Sequence, residues 1–128
     1  MRKRAILAAL CWSALSTLSG GHKLHSNELL KVQISPLVAA APAFISVRTF
    51  VDASDDNRGL EVIAESPDFA RRSAIELTGR RAPTVNVFDF ASLPAGRYDV
   101  SAVLTGTNGV RAMSTRAVLI VPTPGSRR

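Results

Sequence analysis

The chain has 128 residues, of which 46% are hydrophobic and 20% charged, and this length suggests a single domain. Its pI of 10.7 is typical of nucleic-acid-binding proteins, but three of the 16 basic residues fall within the first four positions. Without Arg2, Lys3 and Arg4, 13 basic residues stand against 10 acidic ones, a net charge of +3 that is ordinary for a soluble surface. The charge balance therefore gives no reason to predict nucleic acid as a partner.

Residues 1–21 have the pattern of a signal peptide. A basic start is followed by an apolar run, 5–18, and by small residues at 19–21. The run is too short to span a bilayer, which needs roughly 20 apolar residues. We therefore predict cleavage after Ser19 or Gly21 and a periplasmic or secreted protein without a transmembrane helix in its mature chain. The alternative is that this run forms a buried first helix of the domain.

The single cysteine, Cys11, lies inside the predicted signal peptide. The mature chain would then contain no disulfide, and packing alone would have to stabilise it. A mature chain of about 107 residues is long enough to bury a modest core of that kind.

Past residue 29, short segments alternate between apolar and polar residues, as half-buried β-strands do. Seven such segments are predicted, at 30–35, 44–51, 60–65, 73–79, 84–90, 97–105 and 110–121. In five of them, we expect alternate side chains to share one face, and in 97–105 we expect that face to point inward: Leu30, Val32, Ile34, Ile45, Val47, Thr49, Val51, Leu60, Val62, Ala64, Ile75, Leu77, Tyr98, Val100, Ala102 and Leu104.

Turn residues separate these segments. A cluster of Asp, Ser, Asn and Gly at 52–59 predicts a turn, and 66–72 is interpreted as a loop or one helical turn. Asn108-Gly109 predicts a hairpin turn, because these residues tolerate positive φ angles. The pattern predicts an all-β fold, an antiparallel β-sandwich of about seven strands over 22–122, followed by a flexible tail at 123–128.

The last hairpin, 93–121, begins with Leu93, Pro94, Gly96 and Tyr98. This pattern resembles the closing hairpin of immunoglobulin-like and fibronectin type III-like modules of exported bacterial proteins. The resemblance implies an immunoglobulin-like sandwich in which Tyr98 forms a corner, with its ring in the core and its hydroxyl bonded to nearby backbone. It implies little about function, because such sandwiches serve many roles.

Two groups of residues are candidate metal ligands. His22 and His25 would share one face of a helix, but no third ligand is marked beside them. An acidic loop carries the oxygen ligands that calcium prefers, at Asp52, Asp55, Asp56 and Asn57. Its spacing does not match an EF-hand, and the sequence favours the alternative, a solvated turn held by Asx hydrogen bonds. We predict no cofactor and no metal site, and leave calcium at this loop open.

Four arginines flank the predicted strand at 73–79: Arg71, Arg72, Arg80 and Arg81. They could form a basic binding surface for an acidic polysaccharide, lipid headgroups or an acidic protein. The favoured interpretation is that they are the charges of an edge strand that resists association.

No set of residues for catalysis is recognisable. The predicted mature chain has no cysteine, its two histidines lie at the terminus, and it contains no Gly-x-Ser-x-Gly, His-Glu-x-x-His or P-loop motif. The sequence thus favours an exported, non-catalytic immunoglobulin-like domain that acts in protein binding or envelope assembly. The alternative is a carbohydrate- or envelope-binding module that uses the arginine-rich surface. The oligomeric state and the partner are not indicated.

Overall fold

The computed structural model describes residues 29–123, which form two β-sheets packed against each other around one core. The strands are β1 (Leu30–Ser35), β2 (Val38–Ala40), β3 (Ala43–Val51), β4 (Gly59–Ser66), β5 (Phe69–Glu76), β6 (Val85–Leu93), β7 (Gly96–Gly106) and β8 (Gly109–Val121), with one 3₁₀ turn, Gly79–Arg81. The predicted signal peptide at 1–21, His22 and His25, and the predicted tail beyond Thr123 lie outside the described residues.

One sheet has the strand order β1-β3-β6, and the other has the order β2-β8-β7-β4-β5. All paired strands are antiparallel except β2, which runs parallel to β8. The predicted all-β class and antiparallel β-sandwich are therefore confirmed, with eight strands in the described residues instead of seven.

The additional strand is β2, which sequence analysis missed. Val38 pairs with Leu119 of β8, and the Leu119 N–H donates to the Leu37 carbonyl at 2.9 Å. A strand of three residues is too short to show an alternating pattern, so nothing in its sequence distinguished it from a loop.

The interpretation of residues 66–72 as a loop or helical turn was wrong. Pro67 and Asp68 alone form a two-residue turn, and Ser66 pairs directly with Phe69 across it. Strand β5 therefore begins at Phe69 and contains both Arg71 and Arg72.

The core contains side chains from both sheets. Apart from Ile34 and Ile75, all the residues predicted to share these faces are buried. Ile34 is partly buried, whereas Ile75, on the same face of the chain as buried Leu77, is 37% exposed. The reason is that β5 is the outer strand of a five-stranded sheet, and the facing sheet has only three strands to cover it. Buried Thr49 satisfies its hydroxyl by donating to the Asn86 carbonyl at 3.0 Å.

The chain crosses between the sheets after β6, at the turn that precedes β7. Leu93 and Tyr98 are buried on either side of this turn, and the Tyr98 hydroxyl donates to the Pro94 carbonyl at 2.8 Å. Gly96 begins β7, and a Cβ there would lie 3.7 Å from the Tyr98 ring. The four residues of the sequence pattern thus lie together at one crossing.

Candidate functional site

Strand β5 is an edge of the five-stranded sheet and pairs with β4 alone among the described residues. The pairing continues from Gly59↔Glu76 to Ser66↔Phe69 without a bulge. Beyond the strand end, the Leu77 N–H donates to the Arg58 carbonyl at 2.9 Å. This bond shows which residues of β5 direct their backbone groups toward β4.

In an antiparallel pair, successive residues direct their backbone groups alternately toward and away from the partner strand. Because Leu77 bonds toward β4, the residues that direct N–H and C=O groups to the free edge are Ala70, Arg72, Ala74 and Glu76. These backbone groups form the free edge of β5, and they can accept a further strand.

We expected the four arginines to flank one strand, but in the structure they do not. Arg71 and Arg72 are the third and fourth residues of β5, whereas Arg80 and Arg81 lie in the 3₁₀ turn that follows it. Adjacent residues of a strand point to opposite faces of the sheet, so Arg71 and Arg72 lie on different faces. The structure therefore does not bring the four side chains together into one basic patch.

Arg71 connects the two sheets. Its Nη1 donates to the carbonyl oxygen of Ala91 in β6 at 2.6 Å, and its guanidinium lies 5.2 Å from the centre of the Phe69 ring. Phe69 in turn packs edge-on against Tyr98, with 6.4 Å between ring centres. Arg71 therefore joins the edge of one sheet to the edge of the other.

Two of the remaining arginines have carboxylate neighbours. Arg72 Nε lies 3.3 Å from Glu61 Oε2, and Arg80 Nε lies 3.4 Å from Asp55 Oδ1. Both pairs are largely solvent-exposed, so each contributes little to stability. Arg81 is exposed. Carboxylates accompany the arginines, and the edge of β5 therefore has mixed charge.

The acidic loop between β3 and β4 is held to the rest of the sandwich by hydrogen bonds and ion pairs. Asp56 Oδ1 accepts from the Thr107 N–H at 3.1 Å and from the Thr107 hydroxyl at 2.6 Å, while its Oδ2 lies 3.2 Å from Arg111 Nε. Buried Asn57 donates to the Asp52 carbonyl at 3.0 Å and accepts from Arg111 Nη1 at 2.5 Å.

These contacts have an electrostatic consequence. The hydrogen bonds from Thr107, with the Arg111 guanidinium nearby, hold the pKa of Asp56 below its usual value of 3.8. Asp56 thereby joins the loop between β3 and β4 to the β7–β8 hairpin.

Within residues 29–123, no group of three or more His, Cys, Asp or Glu side chains is arranged to hold a metal ion.

Burial raises the pKa of the Tyr98 phenol above 10.0, although Ser66 and Arg71 act in the opposite direction.

The described helical residues include no segment long and apolar enough to cross a membrane.

Sequence analysis did not single out Ala74 or Glu76, which lie on the free edge. The alternation of β5 is hard to see because Ala, Ser and Arg occupy positions where a covered strand has large apolar residues. The signal that could have located the edge is the Pro67-Asp68 pair, since two turn residues between two strands indicate a hairpin.

No protein-family model and no curated protein matches this sequence. Among solved structures, the fold is similar to that of a superoxide reductase (neelaredoxin) from Ignicoccus hospitalis, with a TM-score of 0.59 and 13% identity over 72% of this chain and 80% of that one. At this identity the similarity shows the fold alone.

Two further structures are more distant. The sporulation control protein Spo0M from Bacillus subtilis has a TM-score of 0.47 and 13% identity over 75% of this chain and 50% of that one. A CARDB domain from Pyrococcus furiosus, in complex with di-metal ions, has a TM-score of 0.43 and 17% identity over 73% of this chain and 94% of that one. Neither TM-score reaches 0.5, and neither structure carries an argument about function.

Proposed function

We propose that this protein is an exported, non-catalytic immunoglobulin-like domain that binds another protein, or assembles in the cell envelope, through the free edge of β5. The observation that carries the proposal is an eight-residue edge strand whose outward backbone groups have no partner strand among residues 29–123. Such an edge can bind an extended segment of another chain by adding it to the sheet.

The free edge of β5 lacks two devices that commonly prevent strand addition. It contains no proline, and its register with β4 has no bulge. Of the other edge strands, β6 has a register shift against β3 between Ala43 and Ile45, and β1, which is regular, has six residues against the eight of β5. Regularity and length together favour β5 as a binding strand.

The immunoglobulin-like assignment is supported by the antiparallel sandwich and by the Tyr98 corner at the crossing between the sheets. The non-catalytic assignment is supported by the residue types available. Residues 29–123 contain neither histidine nor cysteine, the usual nitrogen and sulfur ligands of catalytic metals and common bases or nucleophiles. Of the aspartates in the acidic loop, Asp55 pairs with Arg80 and Asp56 pairs with Arg111.

The alternative, a carbohydrate- or envelope-binding module that uses an arginine-rich surface, has less support. Arg71 is bonded to the Ala91 carbonyl, and Arg72 and Arg80 lie beside carboxylates. A polymer would have to replace those contacts, and it would meet Arg71 and Arg72 on opposite faces of the sheet.

Pull-down from the native cell envelope tests the proposal. Ala74→Pro removes an outward N–H without removing a hydrogen bond to β4, because Ala74 directs its backbone groups to the free edge. Ala74→Ser keeps that N–H and is the matched control. We expect wild type and Ala74→Ser to recover the same partners and Ala74→Pro to lose them.

A variant with Arg72, Arg80 and Arg81 changed to Ser tests the alternative. Loss of envelope polymer by this variant, together with unchanged recovery by Ala74→Pro, would contradict edge binding and favour the arginine-rich surface. Circular dichroism of every variant shows whether its fold is intact.

A further inference from the structure

We infer that the strand that adds to β5 is β5 of a second copy of this chain, paired antiparallel about a two-fold axis at Ala74. This inference rests on the proposed function and names the partner. It would join the two five-stranded sheets into one continuous sheet of ten strands.

The spacing of charge along the free edge favours this pairing. Arg72 and Glu76 lie two residues to either side of Ala74, and all three belong to the set that directs backbone groups outward. A two-fold axis at Ala74 therefore places Arg72 opposite Glu76 of the second copy, and the symmetry repeats this pair. Opposite charges that face each other across neighbouring strands stabilise the pairing.

The register at Ala74 is favoured over its neighbours. An axis at Arg72 or at Glu76 would place like charges opposite each other, which destabilises a pair. An axis at Ser73 or Ile75 would remove the contact between Arg72 and Glu76 of the second copy. At Ala74, by contrast, two small methyl groups meet on the axis and both charged pairs form.

An exposed apolar side chain on the other face of β5 also favours this pairing. Ile75 is 37% exposed because the three-stranded sheet does not extend over it. In the proposed register it lies opposite Ser73 of the second copy and diagonal to the second Ile75. Diagonal neighbours across a strand pair are within reach of long side chains. Dimerisation would therefore cover an apolar group that the monomer leaves exposed.

Arg72 can contact the second copy without losing its ion pair with Glu61 of its own chain. Its side chain is 69% exposed beside Glu61, at 3.3 Å. In the dimer, the guanidinium would lie between Glu61 and Glu76 of the second copy. A guanidinium carries five N–H donors and can serve two carboxylates.

Analytical ultracentrifugation of the purified protein over a concentration series provides the first test. We expect a reversible dimer with a Kd of roughly 1 to 100 µM, because one strand pair buries less surface than a standard interface. Arg72→Glu or Glu76→Arg alone should raise the Kd about tenfold, and the double exchange should restore it, because complementarity returns. A monomer throughout the series, or a double exchange as weak as the single ones, overturns the inference.

Cross-linking tests the register itself. In a Cys11→Ser background, Ala74→Cys places two thiols on the axis, with Cα atoms about 5.5 Å apart. Ala70→Cys is the matched control: it changes the same residue type on the same edge, but its two copies lie about 26 Å apart in this register. A short bismaleimide should join the two chains of the Ala74→Cys variant and leave those of the Ala70→Cys variant apart. Equal cross-linking of both variants contradicts the register.

The two proposals can fail separately. If the protein is monomeric while Ala74→Pro loses its envelope partners, the edge binds a different protein, and only the second-copy inference fails. If the protein is monomeric and Ala74→Pro recovers every partner, both proposals fail.

Discussion

The hydroxyl of Tyr98 donates a 2.8 Å hydrogen bond to the carbonyl of Pro94, four residues earlier, while its ring is only 1% exposed. This bond closes the turn at which the chain leaves β6 in one sheet and enters β7 in the other. Because the ring also packs edge-on against Phe69, Tyr98 links the crossing to the β4–β5 hairpin. One side chain thereby fixes the turn and supports the edge strand.

Removing the hydroxyl and removing the ring should have separable effects on stability. We expect Tyr98→Phe to lower the free energy of unfolding by about 1–2 kcal/mol, since it deletes one buried hydrogen bond. Tyr98→Ala should lower it by about 3–5 kcal/mol, because a core ring is lost as well. Urea unfolding measures both. A Tyr98→Ala midpoint equal to that of wild type would contradict the burial of the ring.

The same residue predicts a loss of stability at alkaline pH. Burial raises the pKa of Tyr98 in the folded state above its ordinary value of 10.0. A group with a raised folded pKa contributes stability that is fully present below the unfolded pKa and is lost as pH rises through the folded pKa. Stability should therefore fall above pH 10, and less steeply in Tyr98→Phe.

Phenolate absorbance measures this titration directly, because Tyr98 is the one tyrosine of the chain. We expect a higher midpoint in buffer than in urea. Identical midpoints in the two solvents would show that the phenol is not desolvated by folding.

Two adjacent arginines of β5 should differ in their contribution to stability. Arg71→Ala removes a 2.6 Å hydrogen bond to the Ala91 carbonyl and the contact with Phe69, and should lower the free energy of unfolding by about 1–2 kcal/mol. Arg72→Ala removes only an exposed ion pair and should change it by less than about 0.5 kcal/mol. Thermal or urea unfolding of the pair decides. Equal effects would contradict a bridging role for Arg71.

The strands with large alternating side chains could be predicted from the sequence. In β3, β4 and β7, period-2 alternation identified the buried face, because the facing sheet covers one side of each strand and apolar residues are required there. Tyr98 belongs to this set, since its neighbours Val100, Ala102 and Leu104 repeat the pattern.

The free edge of β5 could not be predicted in the same way. The inner face of β5, at the rim of its sheet, is only partly covered, so large apolar residues are not required along it, and Arg71 lies there without disturbing the ladder. The position of Ala91 beside Arg71 depends on how two sheets meet, which no local pattern encodes. The roles of Arg71 as a bridge and of Arg72 as an edge charge follow from tertiary structure alone.

Export remains a prediction, carried by residues 1–21. We expect the protein recovered from its native cells to lack the signal peptide and to begin between Gly20 and Asn27, outside the cytoplasm. Intact-mass spectrometry of the fractionated protein measures this. Replacing Arg2, Lys3 and Arg4 with Glu should retain the precursor in the cytoplasm, because the basic start of a signal peptide is lost. Recovery of the uncleaved chain in wild-type cells would contradict the prediction.

Two neighbouring aspartates should respond differently to substitution and to acid. Asp56 accepts two hydrogen bonds from Thr107, whereas the Asp55 side chain is 85% exposed and only pairs with Arg80. We therefore expect Asp56→Ala to lower the urea midpoint at neutral pH and Asp55→Ala, the matched control, to leave it nearly unchanged. The pKa of Asp56 is lowered by folding, so its contribution is present above its ordinary value of 3.8 and is lost as pH falls through the folded pKa. The difference between wild type and Asp56→Ala should accordingly shrink below pH 3.8. A difference that persists unchanged in acid would show that the carboxylate charge has no part in holding the loop to the β7–β8 hairpin.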